Sequence, residues 1–367
     1  MINRKVRFLT FLPSFGTIRL SFRAKSRNPL SSGEGDFSAR PSGSVEMTPI
    51  SFITMRCSLL FFLILFTCQR PVPAPKHFRI VGHITTTGYP HDVAVQNGRA
   101  YVADGQAGLA VFAISIPESV AFLGSIMDSL NEAWGVAVAD SFAYVAYGNK
   151  ELMIVDIRRP DSLKVAGVLE YPQPAYGLDI AVRDSMAYIA ASSQFIAVNV
   201  ADPYHPNLIF QDYYPHSCRG IALAGGYGYL VCEQLGLTCW RLDTFPPQQV
   251  GSMDTPGNAR SVAVQENHAF IADGRNGLVV ADISNPFRPT QVSGIGLPGY
   301  ANGIALRETL AFICCRDAGM AIVNIAHPES PSLVERVQTP YAIGVCAAGQ
   351  FIYLCDRDLG LVVVKQE

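Results

Sequence analysis

Seven histidines, at positions 77, 83, 91, 205, 216, 268 and 327, are the side chains best suited to moving protons or holding a metal near neutral pH. They are scattered without the i, i+4 spacing of a helical zinc site, and no His-Glu-x-x-His occurs. A Gly-x-Ser-x-Gly nucleophile elbow and a phosphate-cradling glycine-rich loop are also missing. Acidic turns raise the question of calcium: Asp356 and Asp358 flank Arg357, and Asp273 precedes Gly274-Arg275-Asn276. Calcium wants roughly six to eight oxygens and an intruding arginine opposes it, so these read as turns in which Asp bonds nearby backbone. Nine cysteines include Cys57 and Cys68 near the N-terminus; the other seven form no Cys-x-x-Cys pair. Cys232 and Cys239 flank an expected hairpin turn and are the one pair that could approach across it as a disulfide, while packing accounts for Cys314 and Cys355. No catalytic residue, metal site or cofactor is expected.

What would position any site is a repeat. An aromatic followed by small residues recurs as Tyr101, Tyr144, Tyr188, Tyr229, Phe270, Phe312 and Tyr353, at spacings of 43, 44, 41, 41, 42 and 41 residues. Each unit reads as four short strands, a to d; in the first they are 92–95, 100–103, 109–114 and 120–126. The b–c connection is tight and glycine-centred, as in Asp104-Gly105-Gln106-Ala107-Gly108 and Asp273-Gly274-Arg275-Asn276-Gly277. The c–d connection carries proline, at Pro117, Pro160, Pro203, Pro286 and Pro328, where no ladder donor is needed.

Seven four-stranded units of about 40–45 residues predict an all-β fold, a seven-bladed β-propeller of four-stranded antiparallel blades. The small residues Ala103, Ala146, Ala190, Val231, Ala272, Cys314 and Cys355 should face crowded seams between blades. The last unit stops at strand c, 361–364, so the N-terminal strand 78–84 is expected to complete the last blade and close the ring.

At strand c the units spell Leu152-Met153-Ile154-Val155-Asp156, Leu278-Val279-Val280-Ala281-Asp282 and Met320-Ala321-Ile322-Val323-Asn324. These resemble the LVIVD repeat of bacterial and archaeal surface-associated propellers; 109–113, 195–199, 237–241 and 361–365 are looser copies. The resemblance spans residues 78–364 and implies the fold, with no activity to carry over. Trp-Asp pairs and double-glycine kelch signatures are missing.

A propeller gathers its innermost strands at the axis, and residues at their entry line the mouth. Those residues are taken as His91, Trp134, Tyr176, Arg219, Arg260, Asn302 and Ile343, followed by small or aliphatic positions. Large hydrogen-bonding and aromatic side chains converging on one opening suit recognition, although the same groups can simply fill the channel.

Charge and hydropathy bound the remainder. From His77 onward there are 17 basic and 27 acidic residues, which argues against nucleic acid as a partner. Residues 1–54, with 8 basic and 3 acidic side chains and no hydrophobic period, read as a disordered or mis-annotated upstream extension. Residues 55–68 read as a signal peptide: Met55-Arg56-Cys57, then an apolar run over 59–66 shorter than the roughly 20 residues that span a bilayer. Leu65-Phe66-Thr67-Cys68 resembles a bacterial lipobox, which implies lipidation at Cys68 as the only membrane contact; Phe66 and Thr67 depart from its small-residue preference. A Pro-rich linker, 69–77, leads to the propeller, 78–367.

The expectation is an exported, lipid-tethered, monomeric scaffold at the cell surface or in the periplasm. It would bind a protein, peptide or polysaccharide through the mouth, without catalysis. The alternatives are a propeller enzyme (hydrolase, lyase or oxidoreductase) with its site at the same mouth, and a structural cell-surface protein.

Overall fold

The computed structural model describes residues 77–127, 131–148, 151–171 and 175–367. The extension, the signal segment with Cys68, and the linker up to residue 76 lie outside the described residues. The rest is seven four-stranded antiparallel sheets, six of them simple meanders and the seventh completed by the first strand of the fold. In the first blade the strands run Asp92–Gln96, Arg99–Ala103, Leu109–Ala113 and Ala121–Ile126. The innermost strands, from Asp92–Gln96 in blade one to Ala342–Ala348 in blade seven, each touch the next, and the seventh touches the first. The ring is closed.

Closure uses the expected strand. Phe78–Ile84 pairs antiparallel with Gly360–Gln366, matching Phe78 to Gln366 and Ile84 to Leu361. Its register slips by one residue at Val81, and every other outer strand slips at the equivalent place: Leu123, Ala166, Ile209, Val250, Val292 and Val334. The first strand of the fold is thus a fourth strand in every geometric respect. In five blades, at Gly82, Gly124, Gly167, Gly251 and Ser293, the residue after the bulge sits beneath the c–d loop of the following blade. An added Cβ at Gly124, Gly167 or Gly251 would run into the carbonyl oxygen of Pro160, Pro203 or Pro286; at Ser293 the hydroxyl instead donates to the Pro328 carbonyl.

Strands b and c are buried almost throughout, because they lie mid-blade between two neighbouring sheets. Alternation along them divides the core into seven seams. Each seam takes one recurring aromatic with the small residue two positions on: Tyr101 with Ala103, Tyr144 with Ala146, Phe312 with Cys314, Tyr353 with Cys355. Two positions on is the same face of a strand, so the aromatic fills the seam while the small side chain admits the next blade. Phe78 joins the seam between blades six and seven, edge-on to Phe312 at 5.8 Å.

The disulfide departs from expectation. Cys218 bonds Cys232, its direct cross-strand partner in blade four. Cys239 is a free, buried thiol instead. Cys232 pairs with Gly236, which puts Cys239 three positions further along strand c and therefore on the opposite face of the sheet, in a different seam. The acidic turns behave as turns: Asp356 accepts the backbone amides of Tyr341, Asp358 and Leu359, and Asp273 accepts the Thr255 hydroxyl at 2.7 Å.

Candidate functional site

Strand pairing fixes which residues share the mouth. Counting back ten residues from each recurring aromatic gives His91, Trp134, Leu178, Arg219, Arg260, Asn302 and Ile343. All seven line one cavity of about 530 Å³ on the ring axis. Tyr176 does not line it. Blade three carries two more residues between Tyr176 and its aromatic, so Leu178 takes the inner position. Tyr176 instead matches Tyr89, Tyr300 and Tyr341, the residues four before the inner apolar position of their blades. It is exposed, and its backbone bonds Ser192.

The inner tier is already organised. The His91 and Trp134 rings stack with centroids 3.9 Å apart and planes at 17°. Burial pushes the His91 imidazole down to about 4, so it stacks as the neutral ring at neutral pH. Glu233 accepts from Arg219 Nε at 2.7 Å and also from Arg260. Asn302 donates to the Ile343 carbonyl at 3.1 Å and accepts from Arg316 at 3.3 Å. Arg260 is held below the usual guanidinium range by burial and by the adjacent charge of Arg219, against the pull of Glu233.

A second tier comes from the b–c turns, which arrive at the same end of the ring. Glu233, Arg316 and Arg357 occupy the turn position that is Gly105 in blade one and Gly274 in blade five. Gly105 and Gly274 are left-handed there, at φ 55° and 58°, and so is Arg316 at 52°. All three pair with the start of the next blade, Arg316 with Ala342. The left-handed conformation costs a residue with a side chain roughly 1–2 kcal/mol, so blade six carries strain at the residue that brings a guanidinium here. Arg316 lies over the Tyr300 ring at 4.2 Å and Arg357 over Tyr341 at the same distance; Arg260 also approaches Tyr300, at 5.5 Å. Sequence reading weighed Arg357 only as an obstacle to calcium and passed over Glu233 and Arg316. Their signal is a charged side chain at a position that is glycine in sister repeats.

One residue further in, the positions are Asp92, Gly135, Asp179, Gly220, Ser261, Gly303 and Gly344. Two carboxylates thus interrupt the expected small or aliphatic run. Asp92 accepts Val93 and, from the next blade, Val136 at 3.0 Å; Asp179 accepts Ile180 and, from the next blade, Ile221 at 2.9 Å. Both are enclosed by the inner strands at the cavity floor. Burial raises both carboxyls, and the nearby Asp92 charge raises Asp179 further. They stitch neighbouring blades together and carry less negative charge than two free carboxylates would.

A family model described as the LVIVD repeat matches residues 87–128, 131–168, 176–211, 256–294 and 298–339, more than half of the chain. The chain belongs to the LVIVD-repeat family. The matched segments cover blades one, two, three, five and six of this LVIVD protein. Blade four carries the disulfide, and blade seven is assembled from both ends of the chain; the geometry repeats in them although the family model does not match there. None of the curated proteins compared with the chain matches it. Among solved structures, the LVIVD ring is similar to the WD40 propeller domain of Doa1, with TM-score 0.64, 11% identity, and coverage of 80% of this chain and 98% of that one. It is also similar to the RRP9 WD40 repeats (0.63, 10%, 82% and 99%) and to the computationally designed Ika8 protein (0.59, 8%, 75% and 83%). At such identities the likeness is one of fold alone.

Proposed function

We propose that this LVIVD propeller is a non-catalytic binding scaffold whose partner docks at the mouth of the central channel. The observation that carries the reading is the mouth itself: Trp134, Arg219, Arg260 and Arg316, delivered by four different blades, converge on one open cavity of about 530 Å³. Tryptophan, tyrosine and arginine dominate binding hot spots, because each combines a large contact area with directed hydrogen bonding. Here they are held in place by stacking and ion pairs, so little side-chain freedom remains to be lost on docking.

The proposal includes export. A basic, then apolar segment over 55–68 supports a signal peptide, and Cys68 supports a lipid tether that would leave the ring at the cell surface or in the periplasm, as a monomer. The Cys218–Cys232 bond favours an oxidising compartment.

The test is partner capture on the immobilised full chain, with bound protein, peptide or glycan identified by mass spectrometry. Trp134→Ala and Arg260→Ala should each abolish capture of the identified partner while leaving the melting midpoint near that of the parent. Undiminished capture by both variants would overturn the reading.

A further inference from the structure

We propose that the mouth takes the carboxylate groups of an acidic peptide segment, seated between Arg260 and Arg316. The inference rests on the mouth being the docking face, and it names what docks.

The propeller as a whole is acidic, with 17 basic against 27 acidic residues from His77 onward. Its cavity gathers four arginines against two carboxyls, Asp92 and Asp179, whose negative charge burial suppresses. Arg219, Arg260, Arg316 and Arg357 all line it, whereas Glu233 is the one carboxylate bridging any two of them. Arg357 pairs with the neighbouring Asp358 at 3.1 Å. Arg316 has no carboxylate partner among the described residues; its contacts are the Asn302 side-chain oxygen and the Tyr300 ring. Arg260 and Arg316 both approach Tyr300, so two cations are held near one ring with a single anion beside only one of them. An arriving anion would relieve that repulsion, and low-dielectric walls strengthen its attraction.

The form of the donors selects the anion. Each guanidinium offers five N–H groups in a planar fork, and Arg260 and Arg316 commit only part of theirs to Glu233 and Asn302. Such forks match a planar carboxylate two bonds at a time. A uronate sugar carries the same group but also binds through ring stacking. Here the Tyr300, Tyr341 and Trp134 rings are already engaged by Arg316, Arg357 and His91. A glutamate- or aspartate-rich chain needs no further platform. The left-handed Arg316 is the second, independent sign, since backbone strain is retained at a place where sister blades use glycine.

The experiment uses the full chain and a fluorescein-labelled hexaglutamate peptide, read by fluorescence anisotropy at low salt. Binding that weakens as salt rises is expected. Arg316→Gly restores the residue type of Gly105 and Gly274, so it should fold at least as well as the parent, yet bind about 10-fold or more weakly. Arg316→Asn, which also tolerates the left-handed region, should behave alike, and Arg288→Gln on a distant c–d loop should change nothing. No binding of hexaglutamate by the parent, equal affinity in Arg316→Gly, or preference for trigalacturonate over hexaglutamate would each overturn the proposal. Partner capture through Trp134 and Arg260 is judged separately, so the mouth can survive the loss of the acidic-peptide assignment.

Discussion

The backbone amide of Phe78 donates to the Glu335 carboxylate at 3.1 Å, across 257 residues of sequence. Glu335 follows the bulge at Val334, where five other blades place a glycine or a serine beneath the next c–d loop. Blade seven has no such loop, because its outer strand is Phe78–Ile84 and not a continuation of Gly360–Gln366. The arriving N-terminal strand fills the gap, and an acidic side chain satisfies an amide that would otherwise lack a partner. Around it, Glu367 pairs with Arg79, and its amide donates to the His77 carbonyl at 2.9 Å.

Closure should therefore dominate stability. Phe78→Ala removes a ring that is 6% exposed and should cost about 3 kcal/mol. Internal deletion of residues 78–84 should abolish the cooperative thermal transition. A deletion variant melting at the parent midpoint would show that the ring does not depend on this strand.

Seams should resist enlargement. Ala146 is fully buried opposite blade three, and Ala146→Leu should lose about 1–3 kcal/mol in urea denaturation. The same methylene groups added at exposed positions of an outer strand should be nearly silent. A neutral Ala146→Leu would mean that the seam is looser than its burial implies.

The Cys218–Cys232 bond closes a short loop, with a sequence separation of 14, so replacing both cysteines by serine should cost about 2–3 kcal/mol. Non-reducing peptide mapping should find this pair linked and Cys239 alkylated only after unfolding. A Cys232–Cys239 peptide would contradict the cross-strand pairing.

His91 gives a defined pH dependence. Its folded value of about 4 lies below the 6.5 of the free side chain, so between these values the unfolded chain binds the proton more readily. Stability must then fall as pH drops through that window, by about 2–3 kcal/mol from this group, and be insensitive to it above. His91→Phe keeps a ring against Trp134 and should flatten the curve relative to the parent. Parallel stability curves for the two proteins between pH 4 and 6.5 would remove His91 as the cause.

Architecture was legible in the sequence because it is repeated. One aromatic spacing set the blade count, and one missing strand set the closure. The site was less legible, since its residues obey register rather than type. Tyr176 looked like a mouth residue by chemistry, but two extra residues before Tyr188 shift the inner position to Leu178. Asp92 and Asp179 were hidden among small neighbours, Arg316 sat in a turn that drew no notice, and Arg357 in one weighed only for calcium. The Cys232–Cys239 expectation failed for a related reason: closeness along a hairpin says nothing about which face of the sheet a side chain takes.

The seams read the alternate positions of strands b and c, whereas the mouth reads the first residues of strand a and the second residue of a turn. The two sets meet only at the cavity floor, where Ile221, Val262, Ile304 and Val345 pack in seams and Asp92 and Asp179 bond the next blade. Point changes at the rim and in the b–c turns could therefore alter ligand preference without renegotiating how the wheel holds together, and Arg316, standing where blades one and five carry glycine, is a residue of that kind.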